Sequence, residues 1–147
     1  RDREVALTAG HCGHVGFVAK NDAGQRIGEF VESVSFDSNI APDHAFIALD
    51  PGVVEIHTLT SIAAPQLWQF ACKQGWGMLN EGTRCGLVYG TSSLDGWSTI
   101  AMFFGDSGGP VIQNGKLIGI TSRLADTRYP GAFMMFARAD RVAGFSL

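Results

Sequence analysis

The chain has 147 residues, of which 46% are hydrophobic and 17% charged. That suits one domain with a real core and excludes a disordered chain. A net charge of −3 argues against a nucleic-acid-binding face, and no run of about 18 apolar residues is present to cross a membrane as a helix.

In chain order, Arg1-Asp2-Arg3-Glu4 is charged, with no initiator Met and no basic-then-apolar leader. The chain therefore reads as a trimmed piece of a longer precursor. Val5 to Leu7 is a short apolar run leading into Thr8-Ala9-Gly10, and His14 to Ala19 alternates weakly. Ile27 to Phe36 sets Ile27, Val31 and Phe36 among polar residues and reads as an exposed-edge strand or hairpin arm. Ala45 to Leu49 is wholly apolar, as a buried strand is. Val53 to Leu59 follows the Pro51-Gly52 turn signal. Pro110–Gln113 and Lys116–Ile120 flank Asn114-Gly115, a strong hairpin signal because both turn residues tolerate positive φ. Ala132 to Phe136 reads as a last buried strand, and Arg138 to Phe145 as a short closing helix or turn. There is no sustained helical period, no repeat and no linker. Short strands punctuated by 19 Gly and 5 Pro point to an all-β barrel or sandwich.

Gly105-Asp106-Ser107-Gly108-Gly109-Pro110 carries the most information. From this composition the hexapeptide arises by chance in roughly 4 of 100,000 such chains, so coincidence does not account for it. The glycines after Ser107 let the backbone turn sharply, which suits an exposed nucleophile. The N–H groups of Gly105 and Ser107 are then candidates to stabilise an oxyanion. A serine nucleophile needs a base, itself oriented by a third group. Gly105-x-Ser107-x-Gly109 also fits the nucleophile elbow of the α/β-hydrolases, but that fold places its histidine after its serine. Here His11, His14, His44 and His57 all precede Ser107, which leaves the order His, Asp, Ser.

With those residues in view, Leu7-Thr8-Ala9-Gly10-His11-Cys12 resembles the histidine motif of the chymotrypsin-like serine proteases. Asp43-His44-Ala45-Phe46-Ile47-Ala48-Leu49 resembles their aspartate strand, and Gly105 to Pro110 is their serine motif unchanged. The resemblance implies two antiparallel β-barrels with the site in the cleft between them. It implies a single protease domain over residues 1–147, with sub-barrels at roughly 1–60 and 61–147. The implied triad is Ser107 as nucleophile, His11 as base and Asp43 as orienter. Asp43 competes with Asp37 and Asp50 and is favoured by the apolar run that follows it. His14, His44 and His57 are read as ordinary surface or loop residues. His11-Cys12-Gly13-His14 lacks a second ligand pair, so no metal site is expected.

Ala71-Cys72-Lys73 and Arg84-Cys85-Gly86 resemble the disulfide loop of the secreted bacterial branch, the streptogrisin and α-lytic type. The resemblance implies a Cys72–Cys85 bond, an extracytoplasmic location, and Lys73 as partner of a buried Asp106. Cys12 is the odd cysteine. In the family its counterpart bonds an upstream cysteine, so an upstream N-terminal segment linked through Cys12 is expected. The first strands of the N-terminal barrel are expected to be missing. At the pocket floor, where trypsin-like members carry Asp, this chain has Ala101, followed by Met102, Phe103 and Phe104. Ile120-Thr121-Ser122 resembles the substrate-pairing strand, with Ser122 supporting Asp43 and Leu124 narrowing the pocket. The expected activity is secreted serine endopeptidase cleavage after small or medium apolar residues, on peptide or protein substrates and without a cofactor. The alternative is a catalytically inactive binding module on the same fold.

Overall fold

The computed structural model describes residues 4–21, 23–35, 38, 40–53, 59, 61–75, 82–103, 105–124 and 133–147. Within these, four strands form an open antiparallel sheet: β1 (Val5–Thr8), β2 (Val18–Lys20), β3 (Arg26–Val34) and β4 (His44–Leu49), in the order β1-β4-β3-β2. Six more form a closed barrel: β5 (Phe70–Gly75), β6 (Gly82–Thr91), β7 (Asp95–Ala101), β8 (Pro110–Gln113), β9 (Lys116–Leu124) and β10 (Phe133–Arg138). The barrel closes in the order β10-β7-β6-β5-β8-β9, and every pairing is antiparallel.

The wholly apolar β4 is buried along its length and pairs on both edges, with β1 and with β3. β3 is therefore an interior strand, not the exposed edge its sequence suggests. Its polar residues mark a face, not an edge: buried Gly28 and Phe30 alternate with partly exposed Ile27 and Glu29. A hairpin arm it is, since β2 pairs with it. Only Val18–Lys20 of the His14 to Ala19 stretch is strand. The preceding residues turn, with the Phe17 N–H donating to the His14 carbonyl at 2.9 Å. Phe36 and most of Val53 to Leu59 lie outside the described residues.

In the barrel, Asn114 and Gly115 adopt φ of 54° and 75° and join β8 to β9 as a hairpin. β10 begins at Phe133, and the closing segment is a short 3-10 turn at Ala139–Arg141. The core gathers Val88, Ile100, Val111, Ile118, Met134 and Phe136. Phe136 is fully buried above Gly96 and Gly119, and a methyl group at either glycine would run into its ring. β5, β6 and β7 carry no clear period in the sequence. In β7 the buried positions are Gly96, Ser98 and Ile100, while Trp97 and Thr99 face outward, so polarity runs against burial. A third cluster, with Ala9, Leu117, Ile120 and Ala139 at its centre, joins the end of β1 to the outer face of the barrel.

Candidate active site

The site begins where β1 ends. A 3-10 turn, Gly10–Cys12, follows it and presses against the backbones of β3 and β4. A Cβ on Gly10 would come within 2.8 Å of the His44 carbonyl oxygen, so only glycine permits this approach. The Ser33 hydroxyl lies 2.8 Å from the Gly10 carbonyl and 2.7 Å from that of Gly13, and donates its proton between them. This fixes both ends of the turn that carries His11.

Asp43 stands just before β4 and is buried. Its Oδ1 accepts the His11 backbone N–H at 3.1 Å, and its Oδ2 accepts from His11 Nδ1 at 2.8 Å. A carboxylate facing Nδ1 puts the imidazole proton there and leaves Nε2 as the basic nitrogen. The bond to Asp43 raises the His11 pKa above its ordinary value of 6.5, against the opposing effect of burial. For Asp43, burial pushes upward, but the bonds donated by His11 and Ser122 outweigh it and the carboxyl ends below its ordinary value.

Ser122 connects this pair to Ser107. The β9–β10 register runs Met135 opposite Arg123 but Phe136 opposite Thr121, so Ser122 is the extra residue of a β-bulge. A bulge re-aims its side chain. The Ser122 hydroxyl donates to Asp43 Oδ2 at 2.6 Å, and its carbonyl accepts from the Ser107 hydroxyl at 3.2 Å. Ser122 thus bonds Asp43 through its side chain and Ser107 through its backbone, which brings His11, Asp43 and Ser107 into one site. The serine loop docks on β9 through Gly108 N–H to the Thr121 carbonyl and Thr121 N–H to the Gly109 carbonyl, both at 2.8 Å. Gly108, at φ 92°, also lies against the Thr8 side chain, which seats the end of β1 on the loop. Among the described residues, the N–H groups of Gly105 and Ser107 take no acceptor.

Beneath the loop, Lys73 Nζ donates to Asp106 Oδ2 at 2.6 Å, and the Phe103 N–H donates to the same oxygen at 3.0 Å. Both charged groups are buried, so each satisfies the other. Cys72 and Cys85 face each other across β5 and β6 and are disulfide-bonded.

The trypsin family model matches residues 2–143. The chain belongs to the trypsin family. No curated protein matches it in sequence. Among solved structures, it resembles Nocardiopsis protease with a TM-score of 0.75 and 21% identity over 94% of this chain and 80% of that one. Cellulomonas bogoriensis chymotrypsin gives 0.68 and 22% over 91% and 78%. Thermobifida fusca protease A gives 0.71 and 19% over 93% and 78%. At these identities the likeness is one of fold, and that fold is the chymotrypsin type.

In this trypsin-family chain the remaining expected residues are spread more widely. Ala101 ends β7 opposite Phe133, half-buried. Met102 is buried in the barrel core, and Leu124 packs against the same core from the end of β9. Phe104 and His57 lie outside the described residues. His14 meets the Phe17 ring edge-on. His44, expected at the surface, is buried at the start of β4, because both ring nitrogens find partners in Pro42 and Glu32. Among the described residues there is no group of three or more metal-ligating side chains. Cys12 is an exposed free thiol 3.9 Å from the Ser107 carbonyl, and the upstream segment expected for it has no support in the structure. Ser33 and Glu32 escaped the sequence reading, since neither sits in a motif. Their only signal is polarity within an otherwise strand-like stretch.

Proposed function

We propose that the chain is a serine endopeptidase in which Ser107, His11 and Asp43 act as the catalytic triad. The observation that carries this reading is that Ser122 holds both sides together, its hydroxyl on the Asp43 carboxylate that binds His11 and its carbonyl on the Ser107 hydroxyl. In the reaction the Ser107 hydroxyl gives its proton to His11 Nε2. His11 takes the proton as the Oγ–carbon bond forms, and the carbonyl electron pair moves onto oxygen. The N–H groups of Gly105 and Ser107 receive that oxyanion. His11 then returns the proton to the leaving amine as the carbon–nitrogen bond breaks. Water repeats the sequence and releases the acid from the acyl-enzyme. Asp43 keeps the imidazole in the Nδ1–H tautomer and balances the imidazolium charge.

No carboxylate stands at Ala101 to pair a substrate Lys or Arg, so the preferred residue before the scissile bond is small or medium and apolar, with Leu124 limiting its size. The Cys72–Cys85 bond fits an oxidising, extracytoplasmic compartment.

A serine-directed fluorophosphonate probe tests the chemistry. The native chain is expected to gain one adduct, on Ser107, that Ser107→Ala abolishes. An unlabelled native chain would leave a protease-fold binding module in its place. A peptide panel then tests specificity: Ala and Val substrates should be cleaved better than Arg or Lys ones, and a clear Arg preference would refute the pocket reading.

A further inference from the structure

We propose that His44 and Glu32 form a hydrogen-bonded latch that positions Asp43, one residue before His44, toward His11. The inference rests on the peptidase reading for its consequence but not for its geometry.

His44 is the first residue of β4, and its side chain is 4% exposed. Its Nδ1 lies 2.8 Å from the Pro42 carbonyl oxygen. A carbonyl only accepts, so Nδ1 carries a proton. Its Nε2 lies 2.7 Å from Glu32 Oε2. With Nδ1 protonated, that second contact also needs a proton between nitrogen and oxygen. The pair therefore holds one proton more than a neutral imidazole beside a carboxylate. Remove that proton and two lone pairs face each other across a hydrogen-bond distance, so the contact opens.

What the latch holds is the backbone around Asp43. The Nδ1–Pro42 bond closes a ring over Asp43 itself, and the Nε2–Glu32 bond ties that ring to β3. The neighbour of Glu32, Ser33, secures the histidine turn, and the His44 carbonyl lies directly beneath Gly10. One pair thus reaches both partners of the His11–Asp43 bond. A satisfied buried histidine with no further role would also have two acceptors. It would not have them bracketing the one carboxylate that orients His11.

The charged surroundings are few. Among the described residues β3 brings Glu32 and, further along, Glu29. The 3-10 turn brings His11, and Asp43 precedes the ring in sequence. β1 brings no titratable side chain, and the ring's other neighbour is Phe46, tilted at 5.3 Å.

The test uses two variants at Glu32, whose side chain is 44% exposed, so both are expected to fold. The readout is the proton NMR signal of His11 Nδ1–H, which should be resolved downfield in the native chain. In E32A the signal should be broadened or lost throughout. In E32Q it should persist, because an amide N–H donates to a neutral Nε2. Peptide hydrolysis should follow, with kcat down about tenfold in E32A at little change in KM, and within about twofold in E32Q. E32A matching the native signal, or E32Q losing it as E32A does, would overturn the latch. If the native chain fails to label at Ser107 while the signal follows this pattern, the latch stands and the peptidase reading falls.

Discussion

The closed barrel and the open sheet hold their halves of the site by different means. The barrel presents Ser107 and Ser122 from a sealed core around Phe136, reinforced by a disulfide and a buried ion pair. The sheet presents His11 and Asp43 from a smaller core led by Phe30, Ile47 and Leu49. Around the His11–Asp43 pair the fixing is mostly polar: Ser33 on the turn, Glu32 on His44, Ser122 reaching across from the barrel. Apolar packing resists change because every neighbour must move together. A polar bracket fails when one bond fails. Changes on the Ser107 side of the site should therefore report on global stability, and changes on the His11 side on the proposed catalysis.

The largest expected effect falls on the sheet. Asp43→Asn removes the charge that fixes the His11 tautomer and should lower kcat by about 10⁴-fold. Melting followed by the tryptophan signal of the barrel should change little. The same bond sets the pH profile. With His11 as the proposed base, its neutral form is the active one, and its pKa is raised above 6.5, so kcat/KM should fall with acid through a midpoint above that value. In Asp43→Asn the midpoint should drop. A native midpoint below 6.5 would break the assignment of His11 as base.

Next comes the barrel's ion pair. Lys73→Ala leaves Asp106 buried without its cation and should cost about 3–5 kcal/mol in urea unfolding. Asp106 also receives the Phe103 N–H, so the serine loop should loosen as well. Replacing Cys72 and Cys85 by Ser opens a loop with a sequence separation of 13 and should cost about 3 kcal/mol. Catalysis by the folded fraction should survive that change. If it collapsed while stability held, the division between the two halves would be wrong.

The serine loop, the histidine turn and the Asn114-Gly115 hairpin were legible because their physics is local. Glycines and turn residues announce themselves within a few positions. Three features were hidden because their cause lies elsewhere in the chain. β7 buries Gly96 because Phe136, forty residues on, fills the space above it, and Ser98 because its hydroxyl donates to the Met134 carbonyl. Ser122 was expected beside Asp43, yet nothing in Ile120-Thr121-Ser122 shows the bulge that turns it there. His44 looked like a surface residue because its partner, Glu32, stands on the neighbouring strand.

Ser33 offers the smallest and sharpest test of the comparison. Its hydroxyl is the only side-chain group, among the described residues, that binds the carbonyls on both sides of His11. Ser33→Ala removes one hydrogen bond and no packing volume of note, so the cost should be about 1 kcal/mol. In a packed region such a loss would spread into overall stability. Here the turn can relax locally, because His11, Cys12 and His14 are exposed and only Gly13 is buried. The expected result is a kcat/KM about fivefold lower, matching that energy, with the urea midpoint nearly unchanged. Ser33→Thr, which keeps the hydroxyl, should recover most of the rate. A midpoint that moves by the full amount while the rate holds would mean that the sheet, like the barrel, is held by its packing.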